Sequence, residues 1–146
     1  RAIESRENSL IRELVDKKGW AYFRSKECHL LEELVSQAGR QVIATGGGAI
    51  LHQDIWPKVM AAGMVVWLMA DQKTICVRLA GDNKTSSQRP PLTGIGTEQE
   101  VAAVLAEREP LYRAGCHLAV DTGNTSLEQI VEIIQSAVQS FTSSSD

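Results

Sequence analysis

Apolar positions along this chain alternate between a helical rhythm and short continuous runs. Residues 9–38 read as helical, with a break near Lys17-Lys18-Gly19. Within them Leu30, Leu31, Leu34 and Val35 form the i, i+1, i+4, i+5 stripe of a buried helical face, and Gly39 is placed to end it. Residues 41–45 break this rhythm: Val42, Ile43 and Ala44 do not alternate with polar residues, which predicts a strand buried on both faces. The switch then repeats. A helix is expected over 53–62 with Pro57 near its start, a second buried strand over 64–70 ("MVVWLMA"), and a helix over 72–80. "HLAVD" (117–121) predicts a third strand. It lies between helices whose starts are marked by the capping pairs Thr97/Glu100 and Thr125/Glu128. In the last helix Leu127, Ile130, Val131, Ile134, Ala137, Val138 and Phe141 fall on one face.

Strands that alternate with helices imply an α/β fold in three layers, a parallel sheet covered by helices on both faces. In such sheets ligands sit at the carboxyl ends of the strands. The 146 residues suit a single domain, without internal repeats, and only the tail 142–146 looks frayed. Residues 81–96, "GDNKTSSQRPPLTGIG", are too polar to be core and read as a functional loop. A net charge of −3 with no basic block argues against nucleic acid and anionic membrane as partners. The longest apolar run, 61–70, is about half a membrane span. The opening residues show no secretory pattern, and Cys28, Cys76 and Cys116 form no CxxC pair. These features predict a cytoplasmic protein with reduced thiols and no Cys/His metal site.

Four places carry candidate chemistry. After the run 41–45 come Thr45 and the consecutive glycines Gly46, Gly47 and Gly48, where a ligand could meet exposed main-chain N–H groups. A plain strand-to-helix turn is the simpler account. Arg24 follows Trp20, Tyr22 and Phe23, so it either offers its planar fork to a carboxylate or phosphate or lies over core aromatics. Pro110 is expected to break a helix just after Arg108, leaving that arginine at an irregular junction. Arg89 lies in the polar loop before a proline pair, where a closing segment could bring it to a transferring phosphoryl group. "GDNKT" (81–85) lacks the glycine before Lys84 and the strand–helix setting of a phosphate loop, and it is set aside.

The ordered set "FR", "ATGGGAIL", "VVWL", "RPPL", "EREPLY" and "VDT" resembles the shikimate kinase family from about residue 3 to the end of the chain. The resemblance implies a nucleoside-monophosphate-kinase-like P-loop fold. It also implies transfer of the ATP γ-phosphoryl group, with Mg²⁺, to the 3-hydroxyl of shikimate in aromatic amino-acid biosynthesis. By motif, Arg24 and Arg108 would hold the shikimate carboxylate, and Gly46, Gly47 and Gly48 would contact the substrate. Arg89 would be the catalytic arginine of a lid over 81–96 and would reach the phosphates. Arg78 would lie on the adenine side, although its spacing to Arg89 implies an insertion in the lid. The proline that commonly follows "VDT" on the adenine side is missing from "VDTGNTSL".

The family also opens with a strand, a glycine-rich phosphate loop, a helix and a strand ending in Asp-x-Asp. None of these motifs occurs among the 146 residues, so the chain as written is expected to be incomplete for catalysis. The expected protein is a monomeric kinase with shikimate and ATP as its partners. Two other readings stay open: an effector-binding domain of a transcriptional regulator, and a kinase of the same fold acting on another small polyol acid such as gluconate.

Overall fold

The computed structural model describes residues 2–81 and 97–143. The lid segment expected beyond Gly81, with Arg89, lies outside the described residues. Helix α1 (Ala2–Glu7) lies against α2 (Ile11–Ser36). Helix α2 bends at Gly19, whose φ of 80° and ψ of 166° belong to a region open to glycine and not to residues with a Cβ. The break expected near 17–19 therefore falls on its glycine. Around the bend Leu14, Val15 and Phe23 form one buried cluster. Glu7 ties α1 to α2: it accepts a hydrogen bond from the Tyr22 hydroxyl at 2.8 Å and pairs with Lys26 at 3.3 Å. Helix α2 ends at Ser36, three residues before Gly39, whose φ is 114°.

Residues 41–45 are not a strand; the structure corrects that expectation. A strand is completed only when a neighbour takes up its N–H and C=O groups. The two described strands, β1 (Val66–Met69) and β2 (Leu118–Asp121), pair with each other, in parallel, and not with 41–45. Val42 is accordingly fully exposed. The β1–β2 register matches Val66 with Leu118 and Met69 with Asp121.

The main core forms where α2, a 3₁₀ turn (Ala49–Leu51) and α3 (Trp56–Ala62) meet, with Leu31, Ala49, Ile50, Ile55 and Trp56 buried together. The Trp56 indole N–H donates to the Gly115 carbonyl at 2.9 Å, joining chain segments far apart in sequence. Helix α4 (Gln72–Gly81) lies against α5 (Thr97–Ala114). Contrary to the expected break, α5 continues through Pro110. Proline removes one helical donor, and buried side chains on both sides of it, Val101 and Arg108 before and the core-packed Leu111 and Tyr112 after, hold the helix together.

Helix α6 (Leu127–Ser143) begins one residue later than its predicted cap. Ser126 Oγ accepts from the Gln129 N–H at 3.3 Å while the Gln129 side chain accepts from the Ser126 N–H at 3.1 Å, a reciprocal capping box. Its apolar stripe is only partly covered: Phe141 meets His117 edge-on, but Leu127, Val131 and Val138 are exposed. No helix among the described residues is long and apolar enough to cross a membrane.

A methyl group at Gly115 would approach Ile50 Cδ1 to 2.8 Å and the Leu111 carbonyl to 2.9 Å, besides displacing the Trp56 ring. Gly115→Ala should therefore destabilise the chain by about 1–3 kcal/mol, the usual range for overpacking, read as a lower urea midpoint at unchanged slope. Acid should act on the strand ends. The Asn124 side chain and then the Gly123 N–H hold the Asp121 carboxyl below its ordinary value, and the Thr74 N–H does the same for Asp71. A depressed carboxylate contributes stability above its unfolded pKa and loses it as pH falls through the folded value. Stability should thus decline as pH drops below about 4, the unfolded carboxylate range, with a shallower decline in Asp121→Asn.

Candidate substrate site

Arg24 sits past the bend in α2, its guanidinium carbon 5.3 Å from the ring centres of both Trp20 and Phe23. The two readings left open for it combine: the arginine lies over aromatics and is also fixed by a charge. Its Nη1 donates to Glu27 Oε2 at 2.5 Å, across one turn of the same helix. Glu27 is buried, and the same oxygen is 3.1 Å from His52 Nε2. A buried carboxylate is tolerated when charge-assisted partners of this kind occupy its oxygens.

The glycines lie directly over this group. None of Gly46, Gly47 and Gly48 has a positive φ, so left-handed backbone is not what requires them. Clearance is. A Cβ at Gly48 would overlap the Arg24 guanidinium, one at Gly46 would come within 3.3 Å of Glu27 Oε1, and one at Gly47 within 3.2 Å of the Tyr112 hydroxyl. The main chain then turns into the 3₁₀ segment through Ala49 N–H to Gly46 C=O (3.0 Å) and Leu51 N–H to Gly48 C=O (3.1 Å).

Tyr112, on α5, donates its hydroxyl to the Gly47 carbonyl at 2.5 Å and stacks on Trp67 of β1 at 5.6 Å between centroids. This clamp fixes the glycine turn beside the sheet. Arg108 lies four residues earlier on α5, on the same helical face as Tyr112. It is 6% exposed, and its Nε is buried without a hydrogen-bond partner among the described residues. Such a donor costs about 1–3 kcal/mol when left unsatisfied, more when charged.

The structure therefore brings Arg24 and Gly46–Gly48 into contact and sets Arg108 on the helix that clamps them. Arg78 is elsewhere. Its Nη1 and Nη2 donate to the Thr122 hydroxyl (2.8 Å) and carbonyl (2.6 Å), just past β2. Sequence reasoning missed Glu27, His52 and Tyr112. Glu27 was visible as an acid at i+3 from Arg24, and Tyr112 lay inside "EREPLY". His52 is twenty-five residues from Glu27 and carried no signal. A guanidinium fork such as that of Arg24 or Arg108 suits a small planar anion, a carboxylate above all.

A protein-family model described as shikimate kinase matches residues 1–139. The shikimate kinase of Rhodopirellula baltica is 36% identical over 140 residues, covering 95% of this chain and 74% of that protein. Shikimate kinase 2 of an Enterobacter strain is 38% identical over 137 residues, covering 94% of this chain and 76% of that protein. Among solved structures, shikimate kinase from Acinetobacter baumannii in complex with shikimate superposes with a TM-score of 0.83 at 29% identity, covering 95% of this chain and 75% of that one. The shikimate kinase of Bacteroides thetaiotaomicron gives 0.77 at 26% identity, covering 96% and 79%. The doubly covered parallel sheet read from the sequence is the fold of these neighbours.

The clamp on the glycine turn has a measurable worth. Tyr112→Phe keeps the stack on Trp67 and removes the hydroxyl, so it should cost about 1 kcal/mol, the net value of one hydrogen bond, in urea denaturation. An unchanged midpoint would show that the Gly47 carbonyl finds water just as readily.

Proposed function

The chain belongs to the shikimate kinase family, and from that premise we propose that it carries the shikimate-binding part of an ATP-dependent shikimate 3-phosphotransferase. The observation that carries this reading is Arg108, buried in α5 with an Nε that has no partner among the described residues. A carboxylate ligand would satisfy that donor and face Arg24 from the other side. Gly46, Gly47 and Gly48 line the same place because any side chain there would meet Arg24, Glu27 or Tyr112. The substrate carboxylate is thus gripped at one end of the ring, and grip at a distance orients the hydroxyl that reacts.

Phosphoryl transfer asks the protein mainly for positioning and charge stabilisation. Arg89 takes the second task in this proposal, on the transferring group. Arg78, held by Thr122 at the carboxyl end of β2, belongs to the nucleotide side. The nucleotide would bring Mg²⁺ with it. Among the described residues no group of three His, Cys, Asp or Glu could hold a metal, so no step is assigned to the ion. The relatives named above are all kinases, and nothing in the site favours a regulator. The free thiols of Cys28, Cys76 and Cys116 support a reducing compartment such as the cytoplasm.

Shikimate-dependent ADP release by the full gene product, with Mg²⁺ and ATP, tests the proposal. Arg24→Ala and Arg108→Ala should each raise the KM for shikimate about ten- to a hundredfold, as expected for losing a hydrogen bond to a charged group, and leave the KM for ATP nearly unchanged. Arg89→Ala should lower kcat far more than it raises the KM for shikimate. Shikimate binding without any turnover would replace the kinase by an effector-binding domain.

A further inference from the structure

Arg24 is held by Glu27, and Glu27 is itself held by a residue from another part of the chain. His52 lies just after the 3₁₀ turn that follows the glycines. Its backbone is fixed on both sides. The N–H donates to the Ala49 carbonyl at 3.1 Å, and its own carbonyl accepts from Ile55 and Trp56 N–H at 3.2 and 3.0 Å, starting α3. The ring is therefore delivered to Glu27 by rigid backbone and not by a mobile loop. The His52 and Glu27 side chains are only 11% and 9% exposed, so little water can substitute for either.

The geometry around Glu27 is asymmetric. Oε2 serves both Arg24 Nη1 (2.5 Å) and His52 Nε2 (3.1 Å), while Oε1 lies beneath Gly46. Without the imidazole the carboxylate would keep Arg24 as its one side-chain partner among the described residues and could turn about its last bond, carrying the guanidinium with it. With it, the oxygen that Arg24 needs is pinned. We propose that His52 is a positioning residue for substrate binding: by donating from Nε2 to Glu27 it fixes the carboxylate that aims Arg24 at the ligand's carboxylate. The inference rests on the shikimate-binding reading of the site. It goes beyond that reading by assigning a function to a histidine that touches neither substrate nor Arg24.

Outer partners of ligand-holding groups are commonly worth tenfold or more in metal sites. For a substrate-binding arginine held through a carboxylate the expected effect is smaller, about fivefold, because Arg108 retains its own hold. Two variants of the full gene product separate donation from packing. His52→Phe keeps ring volume and lacks the donor; His52→Gln keeps a donor at the distance of Nε2. His52→Phe should raise the KM for shikimate about fivefold with kcat and the KM for ATP nearly unchanged, and His52→Gln should restore the wild-type KM. In the same samples, nitrogen relaxation of the Arg24 Nε–H group should report a more mobile guanidinium in His52→Phe and wild-type order in His52→Gln.

Equal KM values in all three proteins, or equal losses in both variants, would overturn the proposal, since neither depends on the donor. The relaxation measurement also stands without turnover. Should the wild-type protein fail to phosphorylate shikimate, the functional reading falls, while Arg24 mobility still decides whether His52 positions it.

Discussion

A carboxylate buried beneath a glycine turn sets the terms for everything around it in this protein. Glu27 sits on a helix face otherwise given to Phe23 and Leu31, where an unpaired charge would be very costly. Its oxygens must be met, and Arg24 and His52 meet one of them from two directions. Arg24 is thereby held against Trp20 and Phe23, filling the volume above its own helix. The chain that crosses over this assembly is tightest at Gly48, where a Cβ would overlap the Arg24 guanidinium, and close at Gly46, where one would come within 3.3 Å of Glu27 Oε1. The consecutive glycines are thus a consequence of the ion pair as much as a means of admitting a ligand. Removing one partner of such a pair is expected to be worse than never having had it, because the remaining charge stays buried.

The arginines of the site differ in what they still have to offer. Arg78 spends two guanidinium nitrogens on Thr122, and so braces the loop that leaves β2. Arg24 spends one on Glu27 and keeps the rest of its fork. Arg108 is the most buried of the three and leaves Nε unmet. Burial without a partner among the described residues is a cost carried by the folded chain. The backbone around the glycine turn is already held, since Tyr112 fixes the Gly47 carbonyl and Trp56 ties Gly115 to the core.

What could be read from the residues followed the range of the interaction concerned. The bend at Gly19, the strands within 64–70 and 117–121, and the helix past Pro57 are decided by neighbours in sequence, and local pattern located them. The capping box was legible in kind but off by one, because Thr125/Glu128 and Ser126/Gln129 both satisfy the same spacing, and the chain uses the second. Pro110 misled for a different reason. Its local effect on α5 is real but smaller than the packing that holds Leu111 and Tyr112 against the core. The run 41–45 has every strand-like residue and no ladder partner among the described residues, and propensity cannot supply one. The arginines were legible through motifs. The groups that hold them were not, because the contact between His52 and Glu27 exists only after α2 and the 3₁₀ turn have come together.

The same distinction explains why the glycines could be noticed at once while the groups packed against them could not. Their conformational freedom is the property a sequence advertises, yet among the described glycines the positive φ values belong to Gly19 and Gly39. Gly46, Gly47 and Gly48 have non-positive φ and are set apart by what lies within reach of their missing Cβ atoms: a carboxylate and a phenol at close contact, and a guanidinium that a Cβ at Gly48 would overlap. Each of those groups comes from a helix, α2 or α5, that the glycines do not belong to. The motif is therefore a steric record of three tertiary contacts. Any change that withdrew Glu27, Tyr112 or Arg24 would relax the demand for glycine at one position without restoring the site, because clearance and charge were arranged together.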